Sequence, residues 1–350
     1  MTITPGAATA PGSDPRYAPF PLTTDEQRLG LITSRFDTAL GTVTVRHGRR
    51  TRPGPATGGR GATILLHGAA GSWSTWTPLI AAADCAGAAP LTDLIIPDLP
   101  GWGDTPLAAD ESAETIESLA AAVAEIALAL GYQRWQVLGH SLGGVVALEL
   151  AASEPRRTRF VGLVSATTFS VIESVRHPLT RFSVLPGFTM LLGVMRVLSG
   201  LGRAGTGLVR ALHRLGLLRS LVTPLFSRVS EIDVSVVAAL GAEARPRSFA
   251  LAADRAGRYN AAGAWAGITC PVRSVHGDRD VFVNALDDDR MAAVIDDLDV
   301  TVLEGTGHFA HVERPFDTLL AVLPRAERDS ALVDRETGDE AAIDHEFRAR

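Results

Sequence analysis

The chain has 350 residues, 46% of them hydrophobic and 21% charged, with a net charge of −6 at pH 7, so it can form one large domain around a substantial apolar interior. The acidic balance and the lack of basic–aromatic clusters argue against a nucleic-acid partner. Cys85 and Cys270 are too few for a disulfide framework or a cysteine metal cluster, and with no lysine in the sequence a Schiff-base mechanism is excluded.

Residues 1–30, rich in Pro, Gly, Ala and Thr without periodicity, predict a mobile N-terminal tail. They carry neither the charged nor the apolar segment of a secretory signal, and with two unpaired cysteines the expected location is cytoplasmic. From Ser34 to Arg46, apolar and polar residues alternate around Gly41, as in a half-exposed hairpin. Ala62–Leu66 and Leu91–Ile96 are short continuous apolar runs, the pattern of strands buried on both faces. Each leads into a glycine-bearing loop, His67-Gly68-Ala69-Ala70-Gly71 and Asp98-Leu99-Pro100-Gly101-Trp102-Gly103. Glu114–Leu130 reads as a helix stopped by Gly131.

Trp135–Leu138 is another apolar run, followed by Gly139-His140-Ser141-Leu142-Gly143-Gly144 and a helix-forming stretch from Val145 to Ala152. A strand, a small-x-Ser-x-small turn and a helix make the setting of a nucleophile elbow. The turn lifts the serine hydroxyl clear of the sheet, and only glycine-sized residues fit beside it. The helix that follows points its first N–H groups toward developing negative charge.

Phe160–Val164 continues the strand–helix rhythm, which residues 170–265 then interrupt. Leu185–Leu225 is apolar with arginines spaced through it, and Pro178, Pro186, Pro224 and Pro246 divide it into short helices. No stretch there is long enough to span a bilayer. The insertion reads as an amphipathic cap packed on the core. A basic apolar lid resting on a membrane or on an acidic lipid is the alternative. Sheet rhythm returns at Ile268–Val275, a helix is predicted over Asp287–Asp297, and Val300–Leu303 is the last strand. Phe316–Leu323 predicts a closing helix, and residues 326–350 a charged tail. The core is therefore expected over 31–169 and 266–325. The fold class is α/β, a mostly parallel sheet flanked by helices.

A serine hydroxyl needs a base, and the base needs a partner that fixes its tautomer. His308, after Gly305 and Gly307 at the end of the last strand, fits the base; His311, three residues on, is the other candidate. The acid is expected at Asp280; Asp278 is the other candidate, and its alternative role is to stabilise the turn after Gly277. His140 is expected to point to the far side of the elbow. The N–H groups of Ala69 and Leu142 are the expected oxyanion donors, and Trp102 the best aromatic for lining a pocket. No cofactor or metal is expected.

These motifs together resemble the α/β-hydrolase superfamily, in its cap-bearing branch with a serine nucleophile. The resemblance rests on His67-Gly68, Asp98 to Gly103, Gly139 to Gly144, Gly277-Asp278-Arg279-Asp280, and Gly307-His308 with Glu313-Arg314-Pro315. It implies a catalytic set of Ser141, Asp280 and His308, in the chain order found in that family. It implies a serine hydrolase acting on a carboxylic ester or related acyl bond of a hydrophobic small molecule. A C–C bond hydrolase of diketones, with Arg196 or Arg210 on a substrate carboxylate, and a non-catalytic ligand-binding member are the alternatives.

Overall fold

The apolar runs become the middle of an eight-stranded sheet in a computed structural model that describes residues 14–51, 61–85, 91–180, 182–215 and 217–324. The strands are β1 (Leu31–Thr38), β2 (Gly41–Gly48), β3 (Gly61–Leu66), β4 (Leu94–Pro97), β5 (Arg134–His140), β6 (Thr158–Val164), β7 (Val272–Gly277) and β8 (Leu298–Leu303). Their order is β1-β2-β4-β3-β5-β6-β7-β8. The predicted hairpin is antiparallel and lies at one edge, β2 runs antiparallel to β4, and the remaining pairs are parallel. The chain leaves β3 toward β4 and then crosses back to β5, so the direction of winding reverses at β3. Ligand sites in such sheets form beyond the strand ends at that reversal.

Helices α1 (Thr77–Cys85), α2 (Ile116–Ala129) and α3 (Leu142–Ser153) follow β3, β4 and β5. Between β6 and β7 come α4 (Phe169–Arg176), α5 (Pro186–Gly200), α6 (Arg203–Arg214), α7 (Leu218–Val222), α8 (Val234–Glu243), α9 (Pro246–Arg258) and α10 (Ala261–Trp265). The prolines act as predicted: Pro186 and Pro246 open helices and Pro178 lies just past the end of α4. After β7 come α11 (Ala285–Ala292) and, after β8, α12 (Ala310–Glu313) and α13 (Pro315–Val322). The helix expected over 287–297 thus starts earlier, where the Asn284 side chain caps the Leu286 N–H, and it ends sooner, at Ala292.

Alternation along the central strands builds two apolar layers. Ile64, Leu66, Ile95 and Val137 pack against α2 and α3, whereas Leu65, Leu94, Ile96 and Leu138 pack against α1 and α13. Helix α3 is buried on nearly every side, which explains its lack of a polar face.

The expectation of a tail through residue 30 fails for residues 14–30. Tyr17, Leu22 and Leu29 are buried, and this segment is a strap across the molecule. The Tyr17 hydroxyl donates to Glu313 at 2.6 Å, the Ala18 N–H to the Glu313 carbonyl at 2.7 Å, and the Leu22 N–H to the Ser235 hydroxyl at 2.9 Å. An extended strap needs only isolated anchors, so no helix or strand period marks it in the sequence. Residues 1–13 and 326–350 lie outside the described residues. Replacing Tyr17 by Phe leaves a buried Glu313 oxygen one donor short, which is expected to destabilise the fold by about 1–3 kcal/mol, measured as a shift in the urea midpoint.

Candidate active site

Ser141 joins β5 to α3 at φ 53° and ψ −120°, a left-handed conformation for a residue with a Cβ. Such a backbone costs about 1–3 kcal/mol and persists only where its surroundings enforce it. Here they do. A Cβ on Gly139 would lie 2.3 Å from the Gly143 carbonyl oxygen, and one on Gly143 would lie 2.2 Å from that of Leu66. The turn is further fixed by the Ser141 N–H donating to Val164 at 3.1 Å and the Gly144 N–H to Ser141 at 3.0 Å.

The loop after β3 passes directly beside the serine: a Cβ on Gly68 would lie 2.7 Å from the Ser141 Cβ. The neighbouring Ala69 sits at the base of an apolar cluster, and Leu142 opens α3, whose first N–H groups have no acceptor within the helix. His67 ties this loop to the next. Its Nε2 accepts the Leu99 N–H at 2.9 Å, so its Nδ1 carries the proton and donates to the Gly68 carbonyl at 2.8 Å. Asp98, fully buried, accepts from the Trp73 N–H at 2.9 Å, the Asp104 N–H at 3.0 Å and the Arg46 guanidinium. Both strand-end loops are therefore held by buried polar groups.

Asp280 and His308 meet as expected. The His308 Nδ1 lies 3.0 Å from both carboxylate oxygens of Asp280, whose side chain is fully buried and also accepts the Phe282 N–H at 2.8 Å. Burial opposes ionisation of Asp280. The His308 ring and the hydrogen bonds outweigh it and hold the carboxyl below its usual 3.8. Asp278 instead accepts the Thr306 N–H at 3.2 Å, the turn-holding role offered as its alternative. His311 is buried between the rings of Trp76 and His140, at 4.8 and 4.4 Å, and burial followed by the nearby His308 pushes it down to about 3.

His140 corrects the expectation that it points to the far side of the elbow. Its Nε2 donates to the His308 carbonyl at 3.0 Å, and the two rings lie 5.0 Å apart. Burial, then His311 and His308, depress its pKa well below 6.5, so it stays neutral and serves as a hydrogen-bonding brace under the His308 backbone. Trp102 is also placed differently. It is buried, sits edge-on to His67 at 6.3 Å, and lines with Leu119, Leu142 and Ala252 a crevice too narrow for a water molecule. Its place in the structure is as a packing residue behind Leu142.

The sequence reading missed two groups. Phe282 stands edge-on to His308 at 4.7 Å, and Phe188 of α5 stands edge-on to Phe282 at 5.7 Å. With Val171, Leu185, Leu192 and Phe249 they form an apolar roof that reaches Ala69. Glu313, quoted above only as part of a motif, gathers three segments: its carboxylate accepts from Gly307 N–H at 2.9 Å, Ser227 N–H at 2.8 Å and the Tyr17 hydroxyl. No cluster of three or more metal-ligating side chains occurs among the described residues.

Because the folded-state pKa of Asp280 is depressed, its ionisation stabilises the fold above the unfolded value and that contribution is lost as pH falls through the folded value. The difference in urea midpoint between the wild type and Asp280→Asn is therefore expected to narrow below about pH 3.8. A difference unchanged on acidification would contradict the assigned environment.

A family model described as Alpha/beta hydrolase family matches residues 63–322. The chain is 37% identical over 113 residues to "Putative carbamate hydrolase RutD" of Variovorax paradoxus (strain S110), covering 32% of this chain and 40% of that protein. It spans less than half the length of the curated relatives it matches. Among solved structures it is similar to a thermophilic esterase from Thermogutta terrifontis, with TM-score 0.61 and 18% identity, covering 86% of this chain and 99% of that one. It is also similar to the epoxide hydrolase CorEH, with TM-score 0.63 and 20% identity, covering 83% and 98%. The family match takes in β3 through α13, and with it the strained elbow, the strand-end loops and the helical insertion: this chain belongs to the alpha/beta hydrolase family.

Proposed function

We propose that the chain is a serine hydrolase cleaving a carboxylic ester, or a related acyl bond, of a hydrophobic small molecule through an acyl-enzyme. Two observations carry this reading: the buried Asp280–His308 pair and a serine held in the strained elbow conformation. In this scheme His308 Nε2 takes the Ser141 proton as the hydroxyl oxygen attacks the carbonyl carbon. Asp280 keeps the proton on Nδ1 and stabilises the imidazolium. The N–H groups of Ala69 and Leu142 bind the oxyanion. The imidazolium then protonates the leaving alcohol, and water activated by the same ring releases the acid and regenerates the serine.

Substrate class follows from the roof. Phe188, Phe249, Phe282 and Leu192 offer apolar surface and no charged partner, which favours an acyl or alcohol part of hydrocarbon character. The carbamate cleavage named for the Variovorax relative is acyl chemistry of the same kind. Nothing favours the diketone reading: Arg196 is engaged by Asp254 and Arg210 is exposed on α6, so neither is offered to a substrate carboxylate.

Hydrolysis of p-nitrophenyl esters should fall by about 10³-fold or more in Ser141→Ala, and a serine-directed fluorophosphonate should label only the wild type. Comparable turnover by both proteins would remove Ser141 from its role. Phe188→Ala should weaken kcat/KM for a medium-chain ester by about tenfold while sparing the acetyl ester, because it removes roof surface and leaves the reacting groups in place.

A further inference from the structure

Helix α5 has two apolar faces. The inner one carries Phe188 and Leu192 into the roof. The outer one carries Met190, Val194, Val197 and, just past the helix end, Leu201. These recur every three or four residues and are each between 54% and 66% exposed. The positions between them on that face, Gly187, Gly193 and Gly200, are exposed glycines. A helix face open to solvent ordinarily carries polar side chains, and a contiguous apolar one marks a contact surface.

Charge narrows what that contact is. From residue 174 to residue 230 the sequence contains eight arginines and no aspartate or glutamate, although the whole chain is net negative. On α6, which packs against α5, Arg203, Arg210 and Arg214 are spaced by seven and four residues and so share one face. All three are exposed, and none has an ion-pair partner among the described residues. An apolar stripe beside an unneutralised basic face fits the interfacial region of a bilayer with negatively charged headgroups. A second copy of this chain would bring two arginine faces together and be repelled. No helix among the described residues is long and apolar enough to cross a membrane, so the fit is to a surface contact.

We propose that the outer face of α5 and the arginine face of α6 form a docking surface for an anionic lipid bilayer. The apolar stripe enters the headgroup–acyl boundary and the arginines meet lipid phosphates. This docking does not depend on the hydrolytic chemistry, since the residues involved lie outside the assigned catalytic set.

The test is sedimentation of the full chain with vesicles of phosphatidylcholine alone and of phosphatidylcholine mixed with phosphatidylglycerol, at low and high salt. Binding is expected to be about tenfold or more tighter to the mixed vesicles and to weaken with salt. Val194→Glu with Val197→Glu should reduce it about tenfold or more. Arg203→Gln, Arg210→Gln and Arg214→Gln together should reduce binding to the anionic vesicles by about a hundredfold, leaving any weak binding to neutral ones. All five positions are exposed, and thermal melts confirm folding of each variant. Absence of binding, equal binding to neutral and anionic vesicles, or variants that bind like the wild type would overturn the proposal. Light scattering that shows a dimer abolished by the two glutamates would also overturn it, and would assign the face to a second copy.

Discussion

The backbone of one residue governs the rest of the arrangement. Ser141 can stay at positive φ only because β3, β5 and α3 approach so closely that no side chain fits at Gly139 or Gly143. The strain is about 1–3 kcal/mol, small against the burial of α3 and the central strands, so the packed core dictates the conformation. Relaxing the turn would require the helix to withdraw from the sheet. The conformation of the serine is therefore a consequence of core packing, and the residue is only 7% exposed.

Around that point the loops are fixed by buried polar contacts rather than by sheet or helix. His67 bridges two strand ends, Asp98 gathers two backbone N–H groups and an arginine, and Glu313 gathers three segments. Burial raises the pKa of Glu313 against the hydrogen bonds it accepts, and leaving any of its donors unmade would be costly. Such hubs give loops the positional precision that a catalytic arrangement requires.

Legibility in the sequence tracks the kind of physics involved. The central strands were readable because burial on both faces leaves continuous apolar runs, and the elbow because close backbone approach demands glycines at set positions. The pairing of Asp280 with His308 followed from strand-end placement. The strap from Asp14 to Gly30 was not readable, since its anchors are single side chains whose partners lie in α8, α12 and the cap. His140 was misread because its direction depends on the His308 carbonyl, far away in the sequence, and Trp102 because a tryptophan between glycines looks the same whether it faces a pocket or a neighbouring loop. The roof could not be read at all: Phe188 and Phe282 meet only when the cap folds over β7.

The Tyr17–Glu313 hydrogen bond spans 296 positions of the chain. During synthesis the tyrosine emerges early, and its Glu313 acceptor is not made until after the last strand. Contacts of such separation form late, because a long loop must close before they contribute. The histidine loop that Glu313 holds is therefore completed near the end of folding, long after the strained turn at Ser141 has been synthesised.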